Sequence, residues 1–455
     1  MRLLQHRASC AIIGILAGVV VLCAPAAYAQ YTADFQTNLI SGVTSNWTGN
    51  YVIGSNTFAD ALLIQSSGVL SNGKGYLGYD PSGSNNTVLV SGTGSVWTNR
   101  GTLVVGLSAM GNSLVISNGG RVFVPSTVPI AGPTDCYVGY QSSGSNNTVV
   151  VTDPGSIWKT GDGLLVGLGG SWNSLVIENG GLVSGHSSAV GFNSGSRHNS
   201  VLVSDSGSVW SNFPGLLSLD SLYIGYDGTD NSLTISNGGA VIDSTVSVYL
   251  GYQSDSSNNS VRVAAGGTWQ NNTLYVGYAG SSNVLKVTGG TVLATNLTVG
   301  FASALCNNLL EVDSGSVVVT NATHDAPLEV RHGKLVLSGG VVQADQLVIT
   351  NSCASFLHTG GTLLVGSFVI NPSTFRITSV AREGKNVRVT WMMGPGQTNT
   401  LQATSGDGNG GYSTNGFSDI FVVTNNASAG TVTNYLDPGA ATNVPARYYR
   451  ARLVP

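Results

Sequence analysis

One short motif constrains this chain more than any other feature: apolar-x-apolar-Gly returns at a nearly regular interval. It occurs as Tyr51-Val52-Ile53-Gly54, Leu103-Val104-Val105-Gly106, Leu164-Leu165-Val166-Gly167, Leu222-Tyr223-Ile224-Gly225, Leu274-Tyr275-Val276-Gly277 and Leu297-Thr298-Val299-Gly300, with equivalent stretches ending at Gly78, Gly139, Gly191 and Gly251. The spacings between these glycines run from 23 to 34 residues and average about 27. A propeller blade needs ~40–45 residues, so the interval is too short for one. It suits one coil of a parallel β-helix.

The inside of a period agrees. Leu274-Tyr275-Val276 reads as a first strand, Val284-Leu285-Lys286-Val287 as a second and Thr291-Val292-Leu293 as a third, each followed by a Gly-bearing or polar turn. Three strands and three turns per coil make a prism-shaped tube. Apolar side chains fill its interior and backbone hydrogen bonds join coils ~4.8 Å apart. Composition follows from that shape. The 62 glycines supply turns that need positive φ. Only 9% of residues are charged, against roughly 25% in ordinary chains, which argues against helical proteins and α/β enzymes of usual make-up. The net charge of −4 argues against a nucleic-acid partner, which needs a basic patch. Asn112, Asn173, Asn199 and Asn231 each begin a second strand, where an inward amide could bond to its equivalent one coil away.

A longer period lies over the short one. Gly78, Gly139, Gly191 and Gly251 are followed 18 or 19 residues later by Trp97, Trp158, Trp210 and Trp269, whereas intervening coils carry Gly-Gly in the same place. If Val96, Ile157 and Val209 point inward, alternation sends the four Trp outward. They would then form a row able to stack on a glycan or a partner surface. The competing and favoured placement folds each Trp over a turn to seal a corner of the tube.

The run Gly94-Ser95-Val96-Trp97-Thr98-Asn99, then Leu103-Val104-Val105-Gly106, then Asn112-Ser113-Leu114-Val115-Ile116-Ser117-Asn118-Gly119-Gly120 resembles the repeat of bacterial autotransporter (type V secretion) passenger and PEP-CTERM-associated proteins. The resemblance covers roughly residues 51–300 and weakens to about 366. It implies a secreted, surface-associated β-solenoid. From about residue 367 the pattern changes to short alternating strands such as Phe375-Arg376-Ile377-Thr378 and Val387-Arg388-Val389-Thr390-Trp391. This stretch resembles a fibronectin type III-like module, with Trp391 as its core aromatic, placed to cover the solenoid's open end or to serve in attachment.

The expected architecture is therefore all-β: a right-handed parallel β-helix of about 12 coils, roughly 60 Å long at ~4.8 Å per coil, followed by a small β-sandwich. Residues 1–29 read as a removed signal peptide, with Arg2 and Arg7, an apolar run from Ala11 to Cys23 and Ala27-Tyr28-Ala29 before Gln30. Residues 30–50 read as an N-terminal cap, 51–366 as the solenoid and 367–455 as the C-terminal module. Outside the signal, Cys136, Cys306 and Cys353 make an odd count and are expected to be single buried cysteines.

Catalytic chemistry on such a scaffold needs clustered carboxylates or basic groups on one face. The densest acidic set is Asp205, Asp220, Asp227, Asp230 and Asp243, and Asp227-Gly228-Thr229-Asp230-Asn231 is only half of a calcium loop. No cofactor and no metal are expected. The reading is a non-enzymatic structural or adhesin-like protein, monomeric, secreted or held at the outer surface of a Gram-negative-type bacterium. It has no membrane span after signal removal and would bind an extracellular or cell-surface glycan or protein. The rival is a polysaccharide lyase or hydrolase on a β-helix.

Overall fold

The computed structural model describes residues 31–454 apart from 127–134, 215–220, 350, 352, 371–375, 395–396, 407–410, 414, 427–430 and 443–445. The expected signal at 1–29 lies outside these residues.

The chain winds into a parallel β-solenoid of about 11 turns. A typical coil contributes Ser113–Ser117 to a first face, Arg121–Val124 to a second and Asp135–Val138 to a third. Each strand pairs in parallel with its equivalents one coil before and one coil after. Inward positions follow the pleat. On the first face Leu62 and Ile64, Val88 and Val90, Leu114 and Ile116, and Val149 and Val151 stack in register, all wholly buried. Each such side chain contributes roughly 1.5–3 kcal/mol on burial, and no coil can bury them without its neighbours.

The corner between the third and first faces has its own device. Nine buried asparagines, Asn86, Asn112, Asn147, Asn173, Asn199, Asn231, Asn259, Asn283 and Asn308, form one column. From Asn112 onward the side-chain oxygen of each accepts from both the backbone N–H and the amide of the asparagine in the preceding coil, and that of Asn86 accepts from the Asp60 backbone N–H at 3.0 Å. Asn112 gives both bonds to Asn147 Oδ1 at 2.9 Å, and Asn173 gives them to Asn199 Oδ1 at 2.9 and 3.1 Å. The motif glycine of the preceding coil makes room: a Cβ on Gly106 would overlap the Asn147 amide, and Gly106 has φ +79°. The stacked amides expected from sequence are thus present.

Coil boundaries differ from the sequence expectation at both ends. Thr37–Ser41 and Thr44–Asn46, inside the expected cap, pair in parallel with Ala61–Gln65 and Val69–Asn72 and already form the first coil. Tyr31 closes that end, with its ring buried and its hydroxyl donating to the Ala61 carbonyl at 2.8 Å. At the other end the ladder runs on through Thr362–Ile370. The asparagine column stops at Asn308, whose register partner is Gly333. A disulfide between Cys306 and Cys353 then ties the outer turns together. This corrects the expectation of single buried cysteines, which holds for Cys136 alone. The odd total concealed one pair plus one buried thiol.

Beyond the solenoid two small antiparallel sheets face each other. One holds Ile377–Glu383, Asn386–Met393 and Thr431–Asp437, and the other Ser418–Thr424, Thr398–Ser405 and Arg447–Val454. Trp391 is wholly buried between them with Val389, Met393 and Leu401, as expected. Met392, of opposite phase, packs instead into the core of the solenoid, near the partly buried Leu363, Val365, Phe368 and Val432. Arg376 Nη1 donates to the Ala354 carbonyl at 3.0 Å. The module therefore covers the last coil, where a bare strand edge would otherwise recruit other chains.

Candidate functional site

The four repeat tryptophans do not form an outer row. Trp97, Trp158, Trp210 and Trp269 are at most 1% exposed, so they cannot stack on a ligand. The phase assumed for their strands is reversed: Val96, Ile157 and Val209 are the partly exposed residues. On the second face the register runs Leu70, Trp97, Val122, Trp158, Val183, Trp210, Val241, Trp269, Val292, so a ring alternates with an aliphatic side chain along the interior. The third face compensates with Gly75, Leu103, Cys136, Leu164, Ser188, Leu222, Val248 and Leu274, small and large in turn. A Cβ on Gly75 would crowd the Trp97 ring. The Cys136 thiol lies against the Trp158 indole, and burial pushes its pKa up. The two-coil repeat is a packing device that keeps interior volume constant.

Some of the buried indoles need polar partners, and a short inner column supplies them. Trp97 Nε1 donates to Asn72 Oδ1 at 2.6 Å and Asn72 Nδ2 to Asn99 Oδ1 at 2.7 Å. Further along, Trp269 Nε1 donates to Asp243 Oδ2 at 2.9 Å and Asn212 Nδ2 to Asp243 Oδ1 at 2.7 Å. Asp243 is fully buried, with no cation beside it among the described residues, and burial raises its carboxyl to about 7. Asp227 and Asp230 stand in an outer turn, where Asp230 accepts from the Thr229 hydroxyl at 3.0 Å. Among the described residues no group of three or more His, Cys, Asp or Glu could hold a metal ion.

The outer aromatic surface lies elsewhere, on the third face and the corner after it. Tyr223, Tyr249 and Tyr275 form one file, with ring centroids 5.2 and 5.1 Å apart and planes within 12°. Phe192, Tyr226, Tyr252, Tyr278 and Phe301 form a second, stacked at 4.4–5.1 Å. The files meet edge to face within each coil, at 74–87°. Arg331 ends the second file, its guanidinium 4.6 Å from the Phe301 centroid. The pairs Tyr76/Tyr79 and Tyr137/Tyr140 repeat the edge-to-face contact nearer the N-terminus. Sequence reasoning missed this surface although its signal is plain. Tyr-apolar-Gly-Tyr occurs at 76–79, 137–140, 223–226, 249–252 and 275–278, and the motif glycine drew attention from the tyrosines beside it.

The files are interrupted. Between Tyr137 and Tyr223 the same outward column carries Leu165 and Ala189. The missing rings leave a cavity of about 300 Å³ lined by Leu165, Leu168, Ala189, Phe192, Tyr137 and Tyr223, with Asp135 and Asp162 also at its wall. The Tyr137 hydroxyl donates to Asp135 Oδ2 at 2.8 Å. Burial, and secondarily the negative charge of Asp162, raise the Asp135 carboxyl. Ser126 donates to Asp162 Oδ1.

One more residue stands out on the turn after this cavity. Trp172 is 59% exposed, has φ +61° and stacks on His198 at 4.1 Å. The equivalent turn positions in other coils hold Asn146, Asp230 and Asn258, types that tolerate a left-handed backbone. An indole there is strained and solvent-facing together, a combination found at functional sites.

No protein-family model matches the chain and no curated protein matches it. Among the described residues no helix is long and apolar enough to cross a membrane.

Proposed function

We propose that this chain is an extracellular, adhesin-like rod of the autotransporter or PEP-CTERM-associated type, whose outer aromatic face is its contact surface. The observation that carries the reading is the double file from Phe192 to Phe301. It places tyrosine hydroxyls and ring edges at one-coil intervals along a surface of few charges. Amphipathic rings held rigid by stacking lose little entropy when a partner binds, the property that makes Tyr frequent in recognition surfaces. The solenoid supplies the rigidity and the C-terminal module closes its end. Secretion is supported by the Cys306–Cys353 disulfide, because such bonds persist in oxidising compartments. The charged leader with its Ala27-Tyr28-Ala29 site supports export as well.

A polysaccharide-cleaving enzyme is the second reading, and the observation in its favour is the Asp135/Asp162 pair at one apolar cavity. Paired carboxylates are the machinery of glycoside hydrolysis. A whole-cell and glycan-array binding screen of residues 30–455, run beside a reducing-end assay on the same polysaccharides, separates the two. Retention without new reducing ends is expected. Accumulating reducing ends would establish the enzyme and overturn the adhesin reading.

A further inference from the structure

At Ala189, among the described residues, the aromatic surface opens into a hollow instead of continuing as a row of packed rings. Resting on the contact-surface reading above, we propose that it binds a single uncharged sugar residue of a glycan chain, with the aromatic files flanking the rest of that chain.

Three features argue for this ligand class. The first is shape. Along Tyr223, Tyr249 and Tyr275 each ring covers the next, so no sugar can enter between them. At Ala189, in register with Tyr223, the preceding ring is absent and the gap of about 300 Å³ remains. That volume is at the small end of ligand sites, which run ~300–1,000 Å³, and suits one ring rather than an extended chain.

The second is the lining. Leu165, Leu168, Ala189 and Phe192 give an apolar wall, and Tyr137 and Tyr223 contribute aromatic ring surface. A pyranose has an apolar C–H face and a rim of hydroxyls, so it can desolvate both partners against such a wall. The third is charge. The polar groups at the wall include Asp135 and Asp162, both acceptors for hydroxyl hydrogens, and O–H···carboxylate bonds are among the stronger ones available. The same carboxylates repel a uronic acid or sulfated sugar.

The test uses a variant that completes the fold's own pattern. Ala189→Tyr places a ring in the cavity at a position where the same column carries Tyr223, Tyr249 and Tyr275, so folding is retained. Calorimetric titration of the protein comprising residues 30–455 with cellohexaose, xylohexaose, chitohexaose and a galacturonic acid hexamer is the measurement. Saturable binding of at least one neutral hexamer, no binding of the galacturonate, and at least a tenfold loss in Ala189→Tyr are expected. A variant that binds as tightly as the parent, binding of the galacturonate alone, or no binding of any hexamer at millimolar concentration would overturn the proposal. Whole-cell binding of Ala189→Tyr keeps the two readings apart. Retained cell binding with no sugar binding by the parent refutes the cavity and leaves the contact-surface reading standing.

Discussion

Asn147 places its side-chain amide in the space that a side chain on Gly106, one coil away, would fill. From that space its oxygen receives two bonds from Asn112, both at 2.9 Å. Glycine and asparagine are therefore halves of one contact, repeated up the solenoid from Gly54 with Asn86 to Gly277 with Asn308. A left-handed corner and a buried amide column arise together, and neither residue can change alone.

That pairing predicts a specific stability difference. Gly106→Ala and Gly384→Ala both force alanine into positive φ, but a Cβ at Gly106 meets Asn147 whereas one at Gly384 meets nothing within 4 Å. The Gly384 change should cost about 1 kcal/mol, the left-handed penalty alone. The Gly106 change should cost at least about 2 kcal/mol more through the displaced buried amide. Chemical denaturation of the two variants checks this, and equal losses would contradict it.

Asp243 predicts an inverted pH response. Its folded carboxyl titrates at about 7 instead of near 3.8, so the folded state holds a proton that the unfolded state has released. This contribution is fully present below pH ~4 and is lost as pH rises through about 7, by up to roughly 4 kcal/mol. The groups facing it, Asn212 and Trp269, are uncharged donors and offer no compensating cation. Asp243→Asn should therefore flatten the stability profile between pH 4 and 7 and leave the variant the more stable form at pH 8, as read by melting temperature across that range.

The disulfide takes over where the asparagine column ends. Cys306 and Cys353 close a stretch with a sequence separation of 47. Reduction, or the double change to Ser, should lower stability by roughly 2–4 kcal/mol. Proteolysis should then begin in the coils after Asn308 rather than in the amide-pinned coils before it. Cleavage sites mapped by mass spectrometry check the location.

Trp172 predicts the opposite sign from a typical change at tryptophan. Replacing it by Asn, the residue at the equivalent turn positions 146 and 258, removes a left-handed strain of about 1–2 kcal/mol. It also exposes less apolar surface, so the melting temperature should rise. Loss of cell binding in the same variant would place Trp172 within the contact surface.

Much of the architecture was legible in the sequence because the solenoid is written in positions that admit few residues. A corner at φ +79° selects Gly, and the cavity above it selects an amide. The phase of the second face was not legible: Val96 and Trp97 are both apolar, so alternation alone cannot say which is inward. The deciding information, Gly75, Cys136 and Ser188 making room, lies on another strand one coil away. The disulfide was hidden by an odd count. The aromatic files were present as Tyr-apolar-Gly-Tyr, but only the fold shows that residues about 26 apart, such as Tyr223, Tyr249 and Tyr275, become neighbours at about 5 Å.

The most direct test of the contact-surface account is binding of the triple variant Tyr226→Thr, Tyr252→Thr, Tyr278→Thr to the cells and glycans that retain the parent protein. These rings are half-buried on the outside of the tube, at the corner just past the strands that end at Ile224, Leu250 and Val276, so no ladder hydrogen bond is touched and the circular dichroism spectrum and cooperative melting should persist. The account predicts a folded rod whose binding falls at least tenfold. A folded triple variant that binds as well as the parent would contradict it.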